Sequence, residues 1–421
     1  VPSAGARIDD PRVARIVEGA LGACDPRVAT RRALARRALR RPISILAFGK
    51  CAAPMMRGAL EAISPDEALV VTLPGEHTDL VACGVRVHVG SHPEPSADAP
   101  RHGEEALALA ARATGTLLVL ISGGGSALLE VPAPGVSIGA IADVARQLMH
   151  RGAPIAELNL VRAALSSIKG GRLAAATRAR EVLTLVVEDV PGHPELVASG
   201  PTMAPPRGSA IDVLARYGVT LDAAMERAIA RAPMPWRPGE IEAIVTNDDA
   251  RRGALAALHA LGLEADDLGA TLTGEARETG AALARELARR GRGMIVGGET
   301  TVTVTGDGRG GRNQELVLGA YLGAYLGAYL GAYLEGEAGL VLSLGTDGVD
   351  GASDHAGAYL TPAQWRRAKA LGLDAGAALA RNDSAPFFET LGTAIRTGPT
   401  GVNVADLVCL LPIAAISTSA A

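Results

Sequence analysis

Three observations predict an α/β fold in two domains. Short β-branched or apolar runs alternate with helical stretches from residue 43 to residue 411. Several of those runs empty directly into glycine-rich turns, the habit of parallel strands that lead into ligand-binding loops. The chain has 421 residues, too many for one ordinary hydrophobic core.

Residues 11–40 read as an arginine-rich amphipathic helical stretch, with Ala, Leu and Val at helical spacing. Ile43–Phe48 reads as a short buried strand, and the Gly49-Lys50 turn leads to a helix from about Pro54, a first βα unit. The Walker pattern is absent, because Cys51 stands where a Ser or Thr would hold magnesium. Lys50 is therefore a phosphate ligand in another frame or a solvated loop lysine. Strands follow at Ala68–Leu73 and Val85–Val89. The next loop, Gly90 to Asp98, is stiffened by Pro93 and Pro95, which makes Ser91 and His92 candidates to touch substrate; a surface histidine is the plainer alternative.

After a helix at 99–113, Thr116–Ile121 is a continuous apolar run, as expected of a central parallel strand. It opens into Ser122-Gly-Gly-Gly-Ser126, where Gly123, Gly124, Gly125 and Ser126 form a candidate anion loop. A helix is expected from about Ile138 to Arg151, then the segment Leu158-Asn-Leu-Val-Arg162. Beyond it Lys169 and Arg172 flank Gly170 and Gly171, so cations again coincide with free backbone amides. The strand Val182–Val187 leads to Glu188 and Asp189, an acidic pair able to hold magnesium or to position a hydroxyl. Proline density rises at 205–206 and at 233–238, which sets a domain boundary near 235: domains 1–235 and 236–421.

The second half restarts with a strand at Ile241–Thr246, an alanine-rich helix and a helix at about 275–290. Then comes Gly297-Gly-Glu299, a strand expected over Thr300–Thr305, a glycine turn at Gly306–Gly311 and a helix from Asn313. Strand, glycine turn and helix start make a phosphate-binding geometry, to which Arg309 and Arg312 add positive charge. Strands are expected again at Gly339–Leu344 and Leu407–Leu411. Asp347, Asp350 and Asp354 follow the first of these in a glycine loop that suits a divalent cation, a polarised hydroxyl or a solvated turn.

Composition narrows the field. The net charge of −4 argues against a nucleic-acid binder. Four scattered cysteines without a C-x-x-C pair suggest neither a disulfide framework nor a zinc site. The first ten residues carry no apolar signal region, so a cytoplasmic enzyme is expected. Of 41 basic residues only Lys50, Lys169 and Lys369 are lysine, and the first two sit in glycine turns, where a compact ammonium is not replaced by an arginine fork.

Residues 319–334 are four copies of Gly-Ala-Tyr-Leu inside nineteen uncharged residues, Leu316–Leu334. The length and the G-x-x-x-G spacing imitate a membrane span. Candidate site residues on both sides, and the lack of a second span, argue instead for a soluble helix lengthened by a repeat.

Glycine loops at strand ends, a few cations and acidic loops together fit phosphoryl transfer, in which the protein positions groups and neutralises charge. Gly306, Gly308 and Gly311 also satisfy G-x-G-x-x-G, so a dinucleotide reductase is the first rival; the acidic residue expected about twenty positions later is missing. A serine hydrolase lacks its G-x-S-x-G elbow.

The chain resembles the type II glycerate kinases, whose C-terminal part is called MOFRL and which were long labelled hydroxypyruvate reductases. The resemblance rests on Gly49-Lys50, Gly90-Ser-His-Pro93, Ile121-Ser-Gly-Gly-Gly-Ser-Ala127, Ser166-Ser-Ile-Lys-Gly-Gly-Arg-Leu173 and Ala198-Ser-Gly-Pro-Thr202. It continues in Gly297-Gly-Glu-Thr-Thr-Val-Thr-Val304, Gly310-Gly-Arg-Asn-Gln-Glu315, Gly345-Thr-Asp-Gly348, Asn382-Asp-Ser384 and Thr397-Gly-Pro-Thr-Gly-Val-Asn403. It implies a larger N-terminal Rossmann-like doubly wound sheet, a smaller C-terminal α/β domain and an active site in the cleft between them. It also implies transfer of the ATP γ-phosphoryl group to the 2-hydroxyl of D-glycerate with magnesium (Mg2+), with no nucleic acid or membrane partner and a homodimer left open.

The family's working lysine, arginine and asparagine fall on Lys50, Arg312 and Asn403. Catalysis is then expected from Lys50, Arg312 and Asp189. ATP contacts fall to Gly123–Ser126, Lys169, Gly170, Gly171 and Asn403, and substrate contacts to Ser91, His92, Arg172 and Glu299. Metal contacts fall to Asp189 and Asp347. One departure is His193-Pro194, where acidic residues usually follow Asp-Val-Pro-Gly.

Overall fold

The structure, a computed structural model, describes residues 8–231, 236–326 and 339–412. It divides into two compact units, one from Pro26 to Val245 and one that joins the chain up to Asp25 with the chain from Thr246 onward. The expected boundary near 235 lies ten residues before this division. The strand expected to open the second domain instead closes the first sheet, and the first helix belongs with the C-terminal residues.

Helices α1 (Pro11–Ala23) and α2 (Pro26–Ala35) replace the single stretch expected at 11–40. Asp10 starts α1 by accepting from the Arg12 N–H at 2.9 Å, with Pro11 as its first residue. The first unit then runs β1 (Ile43–Phe48), α3 (Ala52–Ala62), β2 (Glu67–Thr72), α4 (Thr78–Ala82), β3 (Arg86–Val89), α5 (Ala99–Arg112), β4 (Thr116–Ile121) and α6 (Gly125–Leu128). It continues with α7 (Ile138–His150), α8 (Ile155–Ala164), α9 (Arg172–Ala176), β5 (Glu181–Val187), α10 (Ala210–Arg216), α11 (Ala223–Ile229) and β6 (Glu240–Val245).

Its six strands form a wholly parallel sheet in the order β3-β2-β1-β4-β5-β6. This is the doubly wound Rossmann order, whose switch point lies between β1 and β4. Every residue of β1 and β4 is buried, so both faces of the sheet are covered. Leu46 and Phe48 meet Ala106 and Leu109 of α5 on one of them.

The second unit is built from α12 (Asn247–Ala260), β7 (Ala265–Leu272), α13 (Ala276–Arg290), β8 (Gly293–Gly298), α14 (Arg312–Leu326), β9 (Val341–Gly345), β10 (Gly357–Leu360), β11 (Ala394–Ile395) and β12 (Asp406–Leu410), with three further helices between β10 and β11. Its sheet has the order β11-β10-β9-β12-β8-β7 and is mainly antiparallel; only β7 and β8 pair in parallel. Alternation divides it cleanly. Met294 and Val296 face α13 and α14, while Ile295, Leu342 and Leu407 face α12 and the apolar side of α1. That contact explains why the first helix leaves its sequence neighbours. Gly19 of α1 and Gly253 of α12 allow the close crossing, since a Cβ on Gly19 would lie 2.6 Å from the Gly253 carbonyl oxygen.

The strand expected at Thr300–Thr305 is instead loop. The apolar Met294-Ile-Val296 run takes the sheet position, and the loop is held by the Asn382 side chain, which accepts from the N–H of Thr305 and of Gly306. The first two copies of the repeat complete α14, and the last two lie outside the described residues. Gly319 and Gly323 press α14 onto α13: a Cβ on Gly323 would meet the Ala281 Cβ at 2.2 Å. No helix among the described residues is long and apolar enough to cross a membrane.

Candidate functional site

In the first unit the predicted residues gather where β1 and β4 end. The Lys50 N–H donates to the Gly123 carbonyl at 2.9 Å and the Cys51 N–H to Ser122 Oγ at 2.9 Å, which joins the lysine turn to the three-glycine loop. Gly49 must be glycine: at φ +120° its Cβ would lie 2.3 Å from Ser122 Oγ. The N–H groups of Gly123 and Gly124 donate to no other described residue. Gly124, at φ +79°, lies under two predicted side chains, since a Cβ there would fall 3.0 Å from both His92 Cδ2 and Lys50 Cγ. A Cβ on Gly123 would fall 2.2 Å from Asp189 Oδ2, so glycine makes room for that carboxylate against the loop. Lys50, His92, Asp189 and Gly123–Ser126 are thus brought together.

His92, Gly124, Ser126 and Asp189 line a cavity of about 270 Å³ with Asn159, Arg162, Lys169 and Glu130. Lys169 is fully buried, and its ammonium pairs with Glu130 Oε2 and donates to the Ser126 carbonyl at 3.1 Å. Glu130 Oε1 accepts from Ser166 Oγ at 2.5 Å and from the Val131 N–H at 3.0 Å. Burial depresses the Lys169 pKa against the pull of Glu130, and nearby Arg162 depresses it further. Ser126 Oγ meets Ser199 Oγ at 2.9 Å, and Ser199 donates to Asn159 Oδ1 at 2.8 Å, which ties the glycine loop to α8.

Two predicted substrate contacts lie apart from this group. Ser91 Oγ donates to the Glu94 carbonyl at 2.6 Å within its own loop. Arg172 donates to the Ala163 and Lys169 carbonyls at 2.6 and 3.2 Å, and with Gly170, Gly171 and Arg231 lines another cavity of about 160 Å³.

In the second unit the predicted residues meet at one end of the sheet. Arg312, the first residue of α14, grips buried Asp406 through Nε and Nη2 at 2.6 and 2.9 Å and reaches Glu299 at 3.0 Å. Burial opposes its charge, but the fork with Asp406 raises its pKa further, so the guanidinium stays protonated. Burial raises the Asp406 pKa against that same fork, and neighbouring Asp347 adds to the rise. Asn403 Oδ1 accepts from the Ala405 N–H at 3.1 Å, one residue before Asp406.

The acidic loop does not converge on one ion. Asp350 is buried and caps α14, accepting from the N–H of Asn313 and of Gln314 at 2.9 Å each. Asp354 is exposed beside His355 and Glu389, the one group of three metal-capable side chains among the described residues; Arg396 also reaches His355, at 2.9 Å. Asp347 and Asp350 both sense Asp406, and Asn313 Nδ2 bridges Asp350 and Asp406 at 3.3 and 3.2 Å.

The glycine turn at 306–311 lies against the loop around Arg381. Its glycines admit another loop: a Cβ on Gly306 would strike the Arg381 carbonyl at 2.2 Å, and one on Gly310 would strike Ser384 Oγ at 2.1 Å. Three of its amides are bonded within the unit, Gly306 to Asn382 Oδ1, Gly308 to the Arg381 carbonyl and Arg309 to Asp383 Oδ1.

Glu130, Asn159, Arg162 and Asp406 carry much of this geometry and escaped the sequence reading as site residues. Asn159 and Arg162 stand three apart on a helix whose only other polar residue is Glu157, and Glu130 closes the apolar run that follows the three glycines. Those isolated polar residues were the available signal.

Residues 12–230 match the family described as a domain of unknown function, DUF4147, and residues 292–406 match the MOFRL family. The D-glycerate 2-kinase of Thermotoga maritima is 34% identical over 93% of this chain and 96% of its own. A protein of Agrobacterium vitis with the provisional name hydroxypyruvate reductase is also 34% identical, over 94% of this chain and 93% of its own. The crystal structure of a glycerate kinase from Thermotoga maritima superposes with a TM-score of 0.83 at 33% identity, over 95% of this chain and 98% of that one.

Proposed function

The chain belongs to the glycerate kinases that carry a MOFRL region, and from that premise we propose that it moves the γ-phosphoryl group of ATP to the 2-hydroxyl of D-glycerate, giving 2-phosphoglycerate and ADP. One observation supports this beyond kinship. At the switch point of the parallel sheet, the Lys50 turn and the three-glycine loop are bonded together and present two unengaged N–H groups beside an ammonium stem. Such a cradle suits the phosphates of a nucleotide.

In this reading Lys50 neutralises charge on the transferring group, and the N–H groups of Gly123 and Gly124 hold phosphate oxygens. Arg312, fixed in direction by Asp406 and Glu299, supplies the second cation, with Asn403 beside it. Magnesium fits Asp189 in the mode that ion prefers, one or two carboxylates plus phosphate oxygens, because the loop glycine leaves the carboxylate room. Asp189 would hold it, with Asp347 the corresponding carboxylate of the second unit; the bound ion supplies neutralisation of phosphate charge.

The reductase reading loses its sequence support. The G-x-G-x-x-G of the second unit follows a loop in place of a strand, and the amides of Gly306, Gly308 and Arg309 are bonded within the unit. The first βα turn, where a dinucleotide fingerprint belongs, has a single glycine, Gly49.

One assay compares D-glycerate, ATP and magnesium with hydroxypyruvate and NADH or NADPH. ADP and 2-phosphoglycerate are expected in the first mixture; nucleotide oxidation without ADP formation would reverse the assignment. Lys50→Ala is expected to lower kcat by roughly a hundredfold or more, the scale of one preorganised charge contact, with the unfolding transition unchanged. Near-normal turnover would remove Lys50 from the site.

A further inference from the structure

The cavity beside the three-glycine loop is lined by two carboxylates, Glu130 and Asp189, and two cations, Lys169 and Arg162, unevenly paired. Glu130 faces two cations, Lys169 and Arg162, and both sense it electrostatically. Its two oxygens are already occupied by Lys169, Ser166 and the Val131 N–H. Arg162, at the last turn of α8, lines the cavity and makes no hydrogen bond or ion pair with another described residue. Burial depresses its pKa, with Glu130 only partly offsetting that. An arginine removed from water without partners costs stability unless something else uses it. Asp189 also lines the cavity, against Gly123, but Glu130 is the one carboxylate that Arg162 senses. The half of the cavity around Arg162 therefore carries one positive charge more than its carboxylate balances.

We infer that Arg162 is the specificity residue of the cavity and takes the carboxylate of the acceptor, a small monoanionic 2-hydroxy acid. This rests on the glycerate kinase reading and deepens it. A guanidinium presents paired donors in the plane that a carboxylate accepts, and a monoanion restores the local balance of charge. With the carboxylate at Arg162, the adjoining hydroxyl is directed along the cavity toward Ser126, Gly124 and Lys50, where phosphate is held. A neutral polyol of the same size leaves the guanidinium unpaired and is rejected by the same group.

The test compares wild type, Arg162→Gln and Arg162→Lys in steady-state kinetics and in calorimetric titration with D-glycerate alone and with glycerol. For Arg162→Gln, KM for D-glycerate is expected to rise roughly 30-fold or more, the loss that follows removal of one partner from a desolvated charge pair. KM for ATP is expected to stay within about threefold, since a uniform binding contact is lost on one substrate only. Arg162→Lys is expected to recover part of the affinity, having the charge without the fork. The melting temperature of Arg162→Gln should hold or rise, because a half-buried charge without a hydrogen-bond partner among the described residues has been removed; a merely structural arginine would lower it. Unchanged KM for D-glycerate, or a rise in KM for ATP instead, would overturn the assignment while leaving the kinase reading intact. A wild-type protein that neither binds nor phosphorylates D-glycerate would overturn both.

Discussion

In the first unit one buried carboxylate, Glu130, is shared by two cations, Lys169 and Arg162; in the second, one cation, Arg312, is shared by two carboxylates, Asp406 and Glu299. Both clusters lie at sheet ends and hold an arginine, yet the two arginines are in opposite states. Arg312 is saturated and aimed, its direction set by a two-bond fork to a buried aspartate. Arg162 has no protein acceptor among the described residues. The saturated arginine suits a group that must hold one position while charge develops in front of it. The unsaturated one suits recognition, since its donors are left for a ligand.

This contrast can be broken at several points. The largest effect is expected at Lys169, where Lys169→Met strands the Glu130 carboxylate and should cost about 3–5 kcal/mol of stability. Urea unfolding measures it, and the double variant with Glu130→Gln should recover much of the loss; a silent single variant would mean that Arg162 alone holds Glu130.

Next in size is a titration in the second unit. Burial pushes the Asp350 carboxyl up to about 6, against a usual value near 3.8, despite the two N–H groups it accepts. The folded state therefore holds this proton more tightly than the unfolded chain. Its contribution is fully present below about pH 4 and is lost as pH rises through about 6, by roughly 2–3 kcal/mol. Urea midpoints measured from pH 4 to pH 7 should show that slope, and Asp350→Asn should flatten it.

The smallest effect is expected at Arg312. Arg312→Lys cannot keep both bonds to Asp406 and should lose about 1.5 kcal/mol. Arg162→Lys should lose nothing measurable in the same experiment. Equal losses at the two positions would erase the distinction between them.

The apolar strands were legible because burial on both faces leaves an unbroken run. Ile43–Phe48 and Thr116–Ile121 in the structure coincide with the expected strands. Less apolar strands were not legible. β7 reads Ala-Asp-Asp-Leu-Gly-Ala-Thr-Leu along a sheet edge and gives no periodic signal. β10 is sharper evidence: Gly357-Ala-Tyr-Leu360 is a buried strand, while the same four residues at 319–322 and 323–326 are helix. Pairing with β9 and β11 decides the first case, and packing on α13 the others.

Among the candidate site residues, the glycine-flanked ones were the most legible. Lys50, His92, Asp189 and the Gly123–Ser126 loop come together, and Arg312 and Glu299 do so at the other sheet, with Asp347 near their partner Asp406. At the Gly306–Gly311 turn glycine serves two needs that look alike in sequence. It lets backbone approach a ligand, and it lets one loop lie on another. Asp350 misled for a similar reason, since an acid that caps a helix and an acid that holds an ion share the same glycine-rich surroundings.

The packing of α14 on α13 has one further consequence. The repeat offers the same small face every four residues, so this contact cannot by itself tell one copy from the next. Register must be zeroed elsewhere, and Asp350 does so by gripping the N–H groups of Asn313 and Gln314 at the helix start. Arg312 adjoins that zero point. The arginine's aim is therefore set at the helix start, upstream of every copy.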